Sequence, residues 1–117
     1  MTPTILTRDG KPYLVLGSPG GPRIISAVLQ TILNVVDFKM NVQDAADAPR
    51  FHHQWQPDKL YLEPGVSPDT VALLTARGHQ VEYSPGVVLA RVNAILVGEK
   101  WLEGAADARW VGKASGY

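Results

Sequence analysis

The chain has 117 residues, 45% of them hydrophobic: one domain's worth of sequence, with enough apolar side chains for a core and too many for a disordered segment. Its 11 Lys and Arg balance 11 Asp and Glu, and there is no basic run or RNA-binding aromatic signature, so nothing points to nucleic acid or to a strongly charged partner. Cysteine is absent, which excludes disulfides, thiolate catalysis and cysteine-ligated zinc from this chain.

Met1-Thr2-Pro3 lacks the charged and apolar regions of a signal peptide, so no targeting signal is expected in this chain. No apolar stretch reaches the roughly 18 residues of a membrane span. Residues 4–7 and 13–16 read as two strands, with Asp9-Gly10 as the turn signal of a hairpin whose loop is expected to run over four or five residues. The second strand feeds Gly17-Ser18-Pro19-Gly20-Gly21-Pro22. Pro22 has no N–H and its φ is pre-set for a first helical position, while Gly20 and Gly21 let another molecule approach their backbone closely. Backbone N–H groups at a helix start favour negative charge, so the segment reads either as an anion site or oxyanion hole, or as a tight strand-to-helix turn that binds nothing.

Residues 22–37 carry the strongest helical pattern. Arg23, Ser26, Gln30, Asn34 and Asp37 form a narrow polar stripe, and Ile24, Ile25, Val28, Leu29, Ile32, Leu33, Val35 and Val36 a wide apolar face. The helix is therefore expected to be mostly buried, and to need more neighbours than so short a chain supplies. The stripe Ile24, Val28, Ile32, Val35 reads as core, because a basic polar face for membrane binding is lacking. Asn41 is a cap for a short helix through Asp47, with Asp44 in its first turn and Pro49 as its stop. Residues 60–63 read as a short strand closed by Pro64-Gly65. Ser67-Pro68-Asp69 opens a helix to Arg77, which Gly78 ends. Residues 80–83 follow as a strand, and residues 92–97 and 100–103 as a final hairpin about Gly98-Glu99. The expected class is α+β, a single domain over residues 1–117, with antiparallel hairpins and helices covering sheet.

Few side chains assemble into chemistry. His52 and His53 are adjacent, and neighbours in an extended segment face opposite sides, so hydrogen-bonded structural roles are expected and no metal site. Gln54 adds nothing specific. Asp107 and Arg109 can share one side of an extended segment as a structural ion pair or turn anchor. Trp55, Trp101 and Trp110 read as packing residues. Ser18, Ser26, Ser67, Ser84 and Ser115 have no base nearby in sequence, so no nucleophile–base–orienter set appears.

Several short motifs, in order and spread over almost the whole chain, resemble the C-terminal part of the γ-glutamyltransferase (γ-glutamyltranspeptidase) family. They are Met1-Thr2-Pro3-Thr4-Ile5, Gly17-Ser18-Pro19-Gly20-Gly21, Asn41-Val42, Ala48-Pro49-Arg50-Phe51-His52-His53-Gln54, Gly104-Ala105-Ala106-Asp107-Ala108-Arg109 and the terminal Gly116-Tyr117. Ala108 departs from the proline usual there.

The resemblance implies the C-terminal portion of a small, catalytic subunit. The expected fold is part of an N-terminal-nucleophile hydrolase, a four-layer αββα sandwich to both of whose sheets this chain gives strands. Gly20 and Gly21 match the family's Gly-Gly, whose N–H groups form the oxyanion hole. The family's nucleophile is the N-terminal threonine of the small subunit, freed when the precursor cleaves itself. That threonine, and the serine pair that binds the γ-glutamyl group, lie upstream of the motif that begins at Met1. The chain alone is thus expected to be inactive.

The implied partners are the remainder of the precursor, both its large subunit and the upstream part of the small one, and glutathione or another γ-glutamyl substrate. No metal or organic cofactor is implied, and the parent is expected to be periplasmic or secreted. The fragment is expected to form a homo-oligomer. Two alternatives are a non-enzymatic binding module that keeps this piece of the fold, and an acylase acting on another amide, such as a cephalosporin side chain.

Overall fold

The computed structural model describes residues 3–84 and 88–116. In chain order the elements are β1 (Thr4–Arg8), β2 (Lys11–Gly17), α1 (Arg23–Val36), α2 (Val42–Asp47), β3 (Phe51–His52), β4 (Leu60–Leu62), α3 (Pro68–Ala76), β5 (Val81–Tyr83), β6 (Asn93–Val97) and β7 (Leu102–Ala106). They form a four-stranded sheet in the order β1-β2-β6-β7 and a three-stranded sheet in the order β3-β4-β5, an α+β arrangement. No helix among the described residues is long and apolar enough to cross a membrane.

Local signals account for most boundaries. Arg8 pairs with Lys11, and Asp9 and Gly10 both have positive φ (53° and 74°), so the first hairpin closes in two residues, tighter than the expected four or five. The Asn41 side chain accepts a hydrogen bond from the Asp44 N–H at the start of α2, and Ser67 does the same for Thr70 at the start of α3. Beyond α3, the N–H groups of Gly78 and His79 donate back to the carbonyls of Thr75 and Leu74, a Schellman ending made possible by Gly78 at φ 93°. In the last hairpin β7 begins two residues later than the sequence suggests. Val97 pairs with Leu102, leaving Gly98–Trp101 as a four-residue loop.

The expected antiparallel hairpins are present, and two features go beyond them. The pairing is not all antiparallel: β4 and β5 run parallel, Leu60 opposite Val81, because α3 supplies the crossover that two parallel strands need. The two-residue strand β3, which pairs with β4, has no signature of its own in the sequence.

The core lies on one face of the larger sheet. Leu14, Leu16, Ala94 and Ala105 point from it toward Ala27 and Val35 of α1 and Val42, Ala45 and Ala46 of α2. With Ala90 and Val92, six of the eleven buried core residues are alanine, so the helices sit close to the sheet. The opposite face carries the cross-strand row Ile5–Val15–Ile95–Gly104, with Ile5 61% exposed and Ile95 44%.

Helix α1 is oriented the reverse of a surface helix. Its polar stripe faces the rest of the chain. Ser26 Oγ is 2.8 Å from His52 Nδ1; Gln30 both donates to the Phe51 carbonyl (2.8 Å) and accepts from the Phe51 N–H (3.0 Å); Asn34 reaches the Ala45 carbonyl. Ala27, Thr31 and Val35 are buried beside that stripe. Ile25 (75% exposed), Leu29 and Leu33 face outward, and Thr4, Ile24, Ile25, Val28, Leu29 and Ile32 line an open apolar concavity of about 380 Å³. The expected burial of the wide apolar face is thus not met within this chain.

Candidate functional site

Strand β2 delivers the chain into the glycine turn, and Ser18 there is completely buried. Gly20 and Gly21 have φ of 147° and 58°, conformations that L side chains rarely adopt. Pro22 is already helical at φ −64° and ψ −19°, so the turn runs straight into α1. The Gly20 carbonyl accepts from the Arg23 N–H and the Gly21 carbonyl from the Ile24 N–H, each at 3.2 Å. Neither glycine N–H has an acceptor among the described residues. Two adjacent backbone donors, free at a helix start, can bind an anion or a developing oxyanion.

A second segment closes over the turn. A Cβ built on Gly20 would lie 2.7 Å from the Ala90 Cβ, whereas one on Gly21 would meet nothing within 4 Å. Ala90 itself has φ 72°. The backbone on both sides of it is held by side chains. The Leu89 N–H donates to Glu63 Oε1 (3.1 Å), Arg50 Nη1 donates to the Ala90 carbonyl (3.1 Å), the Arg91 N–H donates to Ser18 Oγ (2.9 Å) and the Val92 N–H donates to Asp107 Oδ2 (2.8 Å). A cleft of about 150 Å³ opens between Pro19, Gly20, Val88, Ala90 and Arg91.

Behind that segment lies a group of four charges, Arg50, Glu63 and Asp107 buried and Arg109 partly so. Arg50 Nη2 donates to Asp107 Oδ2 at 2.7 Å, and Arg109 reaches Glu63 Oε2 at 2.6 Å and Asp107 Oδ1 at 3.0 Å. Both guanidiniums also donate to the Ala46 carbonyl near the end of α2. Arg50 Nε is buried without a partner among the described residues. Burial, and after it the Arg109 charge, lowers the Arg50 pKa. Burial pushes the Asp107 carboxyl up, but the Val92 and Arg109 N–H bonds and the two guanidiniums outweigh it and hold it below the ordinary value. For Arg109, burial is outweighed by Glu63 and Asp107, and the pKa is raised.

The gamma-glutamyltranspeptidase family model matches residues 1–117. The chain belongs to the gamma-glutamyltranspeptidase family. It is 50% identical to the glutathione hydrolase proenzyme of Escherichia coli strain K12 over 112 residues, which are 95% of this chain and 19% of that protein. Against the Bacillus subtilis proenzyme it is 40% identical, over 99% of this chain and 20% of that one. It thus spans about a fifth of these relatives' length. A Pseudomonas nitroreducens gamma-glutamyltranspeptidase complexed with L-DON superimposes with a TM-score of 0.90 at 38% identity, covering 100% of this chain and 62% of that one. A Helicobacter pylori gamma-glutamyltranspeptidase T380A mutant gives 0.88 at 46%, covering 94% and 61%. The chain is therefore a piece of the gamma-glutamyltranspeptidase fold, the αββα architecture of N-terminal-nucleophile hydrolases.

The other candidate residues fall outside the glycine turn. His52 is buried between Ser26 and Gln54, whose Oε1 lies 2.9 Å from its Nε2, so Gln54 has a specific role that the sequence did not suggest. His53 faces away, toward Asp58 at 3.0 Å. Asp107 and Arg109 do pair, within the larger group. The tryptophans are not packed in this chain: Trp55 and Trp101 are each 77% exposed, and Trp110 lies under the Arg91 guanidinium at 3.7 Å. Glu63 and the part played by Arg50 went unread, although Arg50 stands in one of the family-like motifs. Their partners are 46 and 57 residues away, and no local spacing marks such a pair.

Proposed function

We propose that this chain supplies the oxyanion-binding turn of a γ-glutamyltransferase, also a glutathione hydrolase. A threonine outside this chain attacks the γ-amide carbonyl of glutathione or another γ-glutamyl compound, with its own α-amine taking the proton. As the carbonyl oxygen gains negative charge, the Gly20 and Gly21 N–H groups donate to it. One such donor is worth about 3–4 kcal/mol in other systems. The acyl-enzyme then passes its γ-glutamyl group to water or to the amine of an amino acid or peptide.

The observation that carries this reading is the pair of acceptor-free N–H groups at the start of α1, in a chain of this family. No cofactor enters the reaction. In the full-length enzyme, Gly21→Val is expected to slow acylation by two orders of magnitude or more while the protein stays folded. Unchanged acylation in a pre-steady-state burst overturns the assignment.

The same reading makes the rest of the precursor the partner of this single-domain piece. Longer relatives support it, as do the two apolar surfaces that the chain leaves open, the outer face of α1 and the Ile5–Val15–Ile95 row. We infer export of the parent to the periplasm or medium, to be tested by cell fractionation.

A further inference from the structure

We propose that Ser18 is a positioning residue: its hydroxyl latches the 88–92 segment to the glycine turn and so sets where the Gly20 and Gly21 N–H groups point. The proposal rests on reading that turn as the oxyanion hole.

The Ser18 hydroxyl is fully buried and uses both of its capacities. It donates to the Pro19 carbonyl at 2.7 Å and accepts from the Arg91 N–H at 2.9 Å, across 73 positions of sequence. The segment it grips is fixed from behind, since Glu63, Arg50 and Asp107 hold the backbone at Leu89, Ala90 and Val92. That over-determination keeps Ala90 at φ 72°, a conformation an alanine does not hold unaided. Ala90 in turn leaves room at Gly20 for a hydrogen and nothing larger.

The turn is thereby limited from two sides. Contact with Ala90 stops Gly20 from moving toward the segment, and the Ser18 bond stops the segment from moving away. Donors to an oxyanion must sit within a few tenths of an ångström of their place, and a displacement of about 1 Å costs on the order of a hundredfold in rate. Two other serines have different work: Ser26 meets His52, and Ser67 caps α3.

The test uses Ser18→Ala and Ser18→Cys in the processed, full-length enzyme. Cysteine fills the buried space but bonds weakly. With γ-glutamyl-p-nitroanilide, kcat is expected to fall roughly tenfold to a hundredfold in both, with KM within about twofold of the parent. A merely structural role would lower the yield of folded enzyme and leave its kcat alone, so parental kcat in either folded variant overturns the proposal. Failure of both to fold assigns Ser18 to the fold and overturns it equally. Gly21→Val is measured alongside. If that variant acylates normally, the oxyanion reading fails and the latch with it. If it is dead while the Ser18 variants keep kcat, the latch alone fails.

Discussion

Gly20 and Ala90 touch across seventy residues of sequence, so closely that a Cβ on the glycine would lie 2.7 Å from the alanine's. The two glycines of the turn are therefore not equivalent. Gly21→Ala meets open space and carries only the cost of a left-handed residue, about 1–2 kcal/mol. Gly20→Ala adds displacement of the 88–92 segment, and overpacking of that kind costs about 1–3 kcal/mol more. Urea denaturation of both variants should show Gly20→Ala as the less stable. Equal midpoints would mean that the contact yields freely.

The 117-residue chain expressed alone should give no turnover of γ-glutamyl-p-nitroanilide above a blank, because the proposed mechanism draws its threonine and α-amine from outside it. Activity that follows the purified chain through chromatography would overturn the division of labour proposed here.

Asp107 ties stability to pH. Its folded carboxyl titrates below the ordinary value of about 3.9, so its contribution is complete above that value and is lost as pH falls through it toward the folded value. At neutral pH Asp107→Asn should cost about 3–5 kcal/mol, because it leaves Arg50 buried without its directly paired carboxylate. The gap between parent and variant should narrow below about pH 4. Urea midpoints measured across pH 3–7 check this, and a gap independent of pH would remove Asp107 from the account.

The chain on its own should self-associate through the outer face of α1 or the edge strand β1. Static light scattering at micromolar concentration should report a dimer or larger species, and Ile25→Glu with Leu29→Glu should shift it toward monomer. Both positions are more than half exposed, so the changes spare the core. A cooperatively folded monomer of the parent chain would show that these surfaces need no cover.

Where a local rule decides the outcome, the sequence was readable. Asn41, Ser67 and Gly78 mark helix ends by their own chemistry, and Gly20-Gly21-Pro22 marks the turn. The wide apolar face of α1 was visible, but not which side of the helix its own chain would take. That choice was made by Gln30, whose amide pairs with both backbone groups of Phe51, and by Ser26 with His52. The parallel pairing of β4 with β5 and the meeting of Arg50, Glu63, Asp107 and Arg109 depend on contacts between distant segments. The sequence suggested the Asp107–Arg109 pair, and a family-like motif flagged Arg50, without saying that Arg50 and Glu63 join that pair.

The group of four charges also imposes an order of events on synthesis. Gly20 leaves the ribosome roughly ninety residues before Asp107 and Arg109, which at about 5–20 residues per second is several seconds earlier. Until those two residues arrive, Arg50 lacks its Asp107 partner, Glu63 lacks Arg109, and the Val92 N–H at one end of the segment that closes over the turn has no acceptor. A nascent chain cut short before Asp107 would carry the glycines against a segment held at Leu89, Ala90 and Arg91 but loose at Val92, so the shape of the turn is finished late in translation.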